Sequence, residues 1–151
     1  MKYAVSACLL GENCKYSGGN NCREDLCRYL ENHEVIKICP EVMGGLPTPR
    51  IPFELVDGIA VNRNGENVHR AVMNGVAACL ERLKNEQVEC VILQPRSPSC
   101  GVGQIYDGTF TRHLTAGNGL LAEELLKRGY RVISADDFNE SLEEKNENRL
   151  L

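Results

Sequence analysis

The sequence has no cluster of lysine and arginine and no apolar run near the roughly 20 residues of a membrane span. A nucleic-acid groove neutralises phosphates with clustered cations, and this chain carries a formal net charge of −4. Nucleic acid and membrane are therefore excluded as expected partners, and a small molecule is favoured. Tryptophan is absent and aromatics amount to only 5%, but 42% hydrophobic and 25% charged residues rule out a disordered or collagen-like chain. At 151 residues the chain is expected to form a single domain over 1–151, with one core that needs no covalent staples and an acidic C-terminal tail from about 136.

What the chain has in excess is cysteine, eight in all. A chain of this length has no need of a disulfide framework, so a reducing cytoplasm is expected, where thiols serve as ligands, reactive groups or core filler.

Apolar runs at 2–8, 34–39, 88–94 and 130–134 read as strands, and 22–32, 68–85 and 118–128 have helical spacing. Residues 40–52 hold four prolines and two glycines and are expected to form a long irregular loop. Residues 54–61 read as a short strand or a hairpin arm around Asp57-Gly58. From Asp136 a helix that frays is expected. Strands alternating with helices imply an α/β fold, a small three-layer Rossmann-like domain with a mostly parallel sheet. In an alternative arrangement 54–61 or 104–112 runs antiparallel in that sheet.

Cys8, Cys39 and Cys100 each stand where an apolar strand gives way to a Gly/Pro loop. Parallel strands bring such loops to one carboxyl edge, where open α/β sheets bind ligands. No CxxC pair links the three, so a zinc ribbon or finger is not supported. From spacing alone the trio admits a metal or iron–sulfur site, structural filler or a redox thiol. Cys79 and Cys90 read as core residues, and Cys22 and Cys27 as filler. Cys14 reads either as a loop thiol or as a fourth ligand or supporting group. Glu41, two residues past Cys39, reads either as a solvated loop acid or as a group reaching a substrate. Ser97-Pro98-Ser99-Cys100-Gly101 offers hydroxyls and exposed N–H groups beside a thiol, or a plain turn.

Four motifs in order carry a resemblance: Ser6-Ala7-Cys8-Leu9-Leu10-Gly11 with Cys14-Lys15-Tyr16-Ser17-Gly18; Cys39-Pro40-Glu41 with Gly44-Gly45-Leu46, Pro49-Arg50 and Pro52; Ser97-Pro98-Ser99-Cys100-Gly101; and Ile105-Tyr106-Asp107-Gly108-Thr109-Phe110. Together they resemble, over about residues 4 to 134, the small bacterial family that includes thiouracil desulfidase. The resemblance implies a [4Fe-4S] cluster held by Cys8, Cys39 and Cys100 with one iron not ligated by protein. It also implies non-redox removal of sulfur from a thiolated nucleobase or similar thiocarbonyl compound, releasing sulfide. Glu41 matches the family's acid/base residue and Ser97 the serine that assists at the substrate. The chain departs from the family pattern at Gln94, where a lysine is common, and at Asn67-Val68-His69. Two other readings remain open: a non-catalytic cluster or zinc protein acting as sensor or metal carrier, and a cysteine nucleophile, for which His33, His69 and His113 lie outside the three loops.

Overall fold

β1 (Lys2–Ser6) is the strand on which the molecule is organised, because its run Tyr3-Ala4-Val5 is fully buried on both faces. Burial of both faces is what the inner strand of a parallel sheet requires. The computed structural model describes residues 2–140 and 142–144. In it β1 pairs in parallel with β2 (Glu34–Ile38) on one side and β5 (Cys90–Leu93) on the other, and β8 (Val132–Ser134) pairs with β5, giving the order β2-β1-β5-β8.

Side chains alternate across this sheet. Ala4, Ile36, Ile38, Val91 and Leu93 face the helices α3 (His69–Leu83) and α4 (Leu120–Lys127), whereas Tyr3, Val5, Cys90 and Ile92 face α1 (Glu24–Leu30). The result is the three-layer α/β arrangement that the strand and helix alternation implied. Cys79 and Cys90 are buried in the two cores as small hydrophobes. The chain leaves β1 for β2 through α1 and returns past β1 to β5 through α3. The connections therefore diverge at β1 and open a crevice over its carboxyl end.

Two of the expected features differ. The segment after β2 is not wholly irregular: Pro40–Met43 forms a one-turn helix, α2, ending at Gly44. Proline is compatible with the first helical position, since the N–H it lacks has no partner there. The antiparallel segments lie outside the main sheet. β3 (Phe53–Val56) and β4 (Ile59–Asn62) form one hairpin, turning at Asp57-Gly58, and β6 (Gln104–Tyr106) and β7 (Leu114–Ala116) form another. Glu54 joins them, its Oε1 accepting the N–H groups of Gly108 and Phe110 at 3.0 and 3.1 Å.

In the acidic segment after β8, where a helix that frays is expected, the described residues include one docked side chain. The Glu143 carboxylate is buried and accepts Arg131 Nη1 and Nη2 at 3.0 and 2.6 Å and the Tyr3 hydroxyl at 3.2 Å. A buried charge persists only with such partners. The rest of the tail, residues 145–151, lies outside the described residues.

α2 sits against α3 through two glycines. A Cβ on Gly75 would fall 1.6 Å from Pro40 O, and one on Gly44 would fall 2.1 Å from Ala71 O. Gly75→Ala must therefore push α2 off α3 and move Cys39 and Glu41 with it. We expect a loss of about 1–3 kcal/mol in denaturant unfolding, the usual cost of overpacking, together with reduced iron uptake on reconstitution.

Candidate active site

Each of the three thiols is delivered by a local device at the carboxyl edge of the sheet. Cys8 lies in the 3-10 turn Ala7–Leu10 that continues β1; its carbonyl accepts Asn21 N–H at 2.9 Å and its sulfur accepts Asn21 Nδ2 at 3.5 Å. Cys39 is the extended residue between β2 and α2, and its carbonyl starts the helix by accepting Met43 N–H at 2.9 Å. Cys100 follows β5 through a turn in which Ser97 Oγ accepts the N–H groups of Ser99 and Cys100, each at 3.2 Å. Such side-chain turns are how serine replaces regular backbone pairing.

Cys8, Cys39, Cys100, Glu41 and Ser97 all line one cleft of about 380 Å³. Cys14 lines it too. Cys22 is exposed, and the half-buried Cys27 turns its sulfur toward Leu9 O. Among the described residues no histidine lines the cleft, so a thiol nucleophile finds no imidazole partner there. His69 instead accepts Ala60 N–H at 3.1 Å through Nδ1, at the start of α3, and the His33 ring packs against Tyr29.

Burial sets the thiol electrostatics. It pushes the Cys100 thiol well up, with the charges of Cys39, Cys8 and Glu41 adding and a hydrogen bond from Ser6 opposing. Burial also raises Cys8, against a lowering contribution from Asn21. Cys14 is pushed up to about 12, first by burial and then by Cys39 and Cys8. A cationic centre would be needed to hold such buried, neighbouring sulfurs together as thiolates. Among the described residues no three His, Cys, Asp or Glu side chains converge closely enough to hold a single metal ion.

Glu41, on α2, is held at both oxygens. Oε1 accepts Arg50 Nε at 2.9 Å and Oε2 accepts the Ser99 hydroxyl at 2.8 Å. The Arg50 side chain is only 4% exposed and Glu41 14%, so this is a largely desolvated ion pair. Arg50 also donates from Nη2 to Cys14 O at 2.8 Å and from Nη1 to Pro47 O and Thr48 Oγ1. One guanidinium thus ties the Cys14 loop, the proline-rich loop and Glu41 together. Removing one partner of a buried pair leaves the other uncompensated. Arg50→Ala should lower unfolding free energy by about 3 kcal/mol, read from denaturant midpoints at constant slope.

Arg50 and Ser99 are contributions that sequence reasoning did not assign. Both stood in quoted motifs, and nothing in their spacing revealed that they meet the same carboxylate. Of the two departures from the family pattern, only Gln94 reaches the cleft. Its backbone N–H donates to Ser6 Oγ at 3.0 Å, and its buried Oε1 has no hydrogen-bond partner among the described residues. Asn67 caps His69 N–H at 2.9 Å, away from the cleft. The cleft walls are cationic in a chain that is acidic overall: Lys15, Arg50, Arg63, Arg96 and Arg112 face Glu41 and Glu54. Arg96 is neutralised by Asp136 at 2.8 Å. Among the described residues Arg63 and Arg112 form no ion pair, and so favour an electron-rich small molecule.

A parallel α/β domain with a cleft at its switch point, lined by thiols from three loops and an ion-paired carboxylate, has the build of a small-molecule enzyme. Comparison with known proteins narrows the class. The family model for 2-thiouracil desulfurase matches residues 4–137, and the chain belongs to that family. The chain is 37% identical over 148 residues to the uncharacterized protein YbbK of Bacillus subtilis (strain 168), covering 91% of this chain and 98% of that one. Among solved structures it resembles the [4Fe-4S]-dependent thiouracil desulfidase TudS (DUF523Vcz), with a TM-score of 0.85 and 35% identity over 91% of this chain and 92% of that one. The desulfidase class and the α/β fold expected from the motifs agree with these relatives.

Proposed function

We propose that this chain is a cytoplasmic iron–sulfur enzyme that takes sulfur from a thiolated nucleobase or a similar small thiocarbonyl compound, without net redox change, and releases it as sulfide. One observation carries the reading: Cys8, Cys39 and Cys100 share their cleft with Glu41 and Ser97. Membership of the 2-thiouracil desulfurase family supports the reaction, and the cluster of the TudS relative supports the cofactor.

The donor set suits a [4Fe-4S] cluster. Its thiolates bind separate irons, so they need not converge on one point as ligands of a single zinc at about 2.3 Å must. The side chain of Asn21 donates to the sulfur of Cys8, the kind of contact that orients and tunes a thiolate ligand. Three ligands from three loops leave one iron without a protein ligand. Cys14 is not a ligand in this reading.

When bound, the cluster supplies a soft, open iron that stabilises the departing sulfur. The protein supplies the proton handling. Glu41 takes up a proton of the water that replaces sulfur on carbon, and Arg50 holds its carboxylate in place through Nε. Ser97 presents its hydroxyl to the substrate, and Tyr106 and Phe53 close the cleft on the side of the two hairpins. A sensor or metal carrier needs the thiols but has no use for a carboxylate clamped between an arginine and a serine pair.

The reading is tested by anaerobic reconstitution followed by incubation with 2-thiouracil, 4-thiouracil and related thiolated bases, measuring sulfide and the oxo product. Stoichiometric sulfide and oxo product from at least one base is expected. A fully loaded protein that converts none of them contradicts the proposal.

A further inference from the structure

We propose that Ser99 is a positioning residue of this reaction, the middle member of a one-way hydrogen-bonded line that carries a proton from Ser97 to Glu41. The inference rests on the desulfidase reading. It follows from how few protons the three groups have to share.

Ser99 Oγ lies 2.8 Å from Glu41 Oε2 and 3.0 Å from Ser97 Oγ. Ser99 Oγ donates to Glu41 Oε2, whose other oxygen accepts Arg50 Nε, so the single Ser99 proton points at Glu41. The bond between the two serines must then be donated by Ser97. The direction is fixed: Ser97 donates to Ser99, and Ser99 donates to Glu41. Cys100 Sγ is a competing acceptor for the Ser99 proton, but at 3.8 Å it is far weaker than a charge-assisted contact at 2.8 Å.

Both ends of the line are anchored. Glu41 cannot swing away without giving up Arg50 Nε on its other oxygen. Ser97 Oγ is fixed by the N–H groups of Ser99 and Cys100, both at 3.2 Å. These contacts lie at the long end of the usual range of about 2.7–3.2 Å and occupy both lone pairs of the oxygen, so one of them gives way when the water proton arrives. Ser99 itself is 1% exposed, so a solvent molecule does not stand in for its hydroxyl.

In the reaction, an O–H bond of the attacking water breaks as its oxygen bonds to the thiocarbonyl carbon, and the C=S π electrons move to sulfur. The water proton passes to Ser97 Oγ, the Ser97 proton to Ser99 and the Ser99 proton to Glu41 Oε2. The C–S bond then breaks as C=O forms, the remaining O–H proton passing to the departing sulfur. The proton held by Glu41 leaves with the sulfur. In sum, the thiocarbonyl and one water give the carbonyl and one hydrogen sulfide, with no oxidant or reductant.

The experiment is performed on cluster-loaded Ser99→Ala and Ser99→Thr, with iron per chain measured for each. Ser99→Ala should lose roughly 100-fold in kcat, the lower end for a positioned proton-transfer group, with KM changed by no more than about twofold. Its solvent deuterium isotope effect should differ from that of the wild type, and Ser99→Thr, which keeps the hydroxyl, should recover most of kcat. Adding Ser97→Ala to Ser99→Ala should cost almost nothing more, because both interrupt one line. A Ser99→Ala variant within about threefold of wild-type kcat, or a double variant whose losses multiply, overturns the proposal. If Ser99→Ala fails to load, isotope-edited infrared absorption of Glu41 in the apoprotein decides. The carboxylate band should shift in Ser99→Ala and not in Ser99→Thr, and an unshifted band in Ser99→Ala overturns the hydrogen bond itself. A loaded wild type that releases no sulfide from any thiolated base removes the desulfidase reading and this proposal with it, whereas a working wild type beside a working Ser99→Ala removes the proposal alone.

Discussion

Glu41→Ala should retain the cluster and lose sulfide release. Glu41 is not a thiol ligand, so iron per chain and the visible absorbance of the loaded protein should match wild type. Turnover should fall by a factor of about 10²–10⁴, the usual contribution of a positioned acid–base group. The substitution also leaves Arg50, only 4% exposed, without its anion, which costs stability independently of chemistry. Glu41→Gln separates the two effects, because it keeps the shape of the side chain and a neutral acceptor for Arg50 and Ser99 but cannot take a proton at neutral pH. Both variants should be inactive, with Glu41→Gln closer to wild type in denaturant unfolding. Normal sulfide release by either variant would remove the acid–base role.

An effect as large is expected at the thiols. Cys8→Ser, Cys39→Ser and Cys100→Ser should each bleach the reconstituted protein, because a serine hydroxyl stays protonated and is a hard, poor ligand for iron. Cys90→Ala is the clean control. Burial pushes the Cys90 thiol up to about 12, far from any reactive form, and it lies in the core on the α1 side of the sheet. Cys79 is also pushed up to about 12 by burial, but its thiol donates to the sulfur of Met43, on α2, at 3.5 Å, so a change there perturbs the cleft indirectly. Iron and acid-labile sulfide per chain, measured across the set, should separate the first three from Cys90→Ala. A Cys90→Ala variant as colourless as Cys8→Ser would mean that folding, and not ligation, governs colour.

The parallel strands were legible in the sequence because burial on both faces forces unbroken apolar runs, as in Tyr3-Ala4-Val5 and Val91-Ile92-Leu93. The thiols were legible as a group because each follows such a run, and parallel strands must end together. The helix at Pro40 was hidden by counting prolines without asking which one occupied the first helical position. The docked acidic segment was hidden because Glu143 is buried only by virtue of Arg131 and of Tyr3, 140 residues away in the chain. Arg50 and Ser99 escaped for the same reason: the carboxylate they share comes from another loop, and no local pattern encodes a meeting across the cleft. Gln94 and Asn67-Val68-His69 looked equivalent as departures from a motif, and only their places in the fold tell them apart.

The account depends on three sulfur atoms holding one inorganic cluster with an iron left free for substrate. Mössbauer spectroscopy of the anaerobically reconstituted wild type, with iron and sulfide counted on the same sample, tests this most directly. About four irons per chain, one of them distinct in its spectrum and altered when a thiolated base is added, is the predicted result. Stoichiometric zinc without iron, or a cluster whose irons are all alike and indifferent to the base, would contradict it.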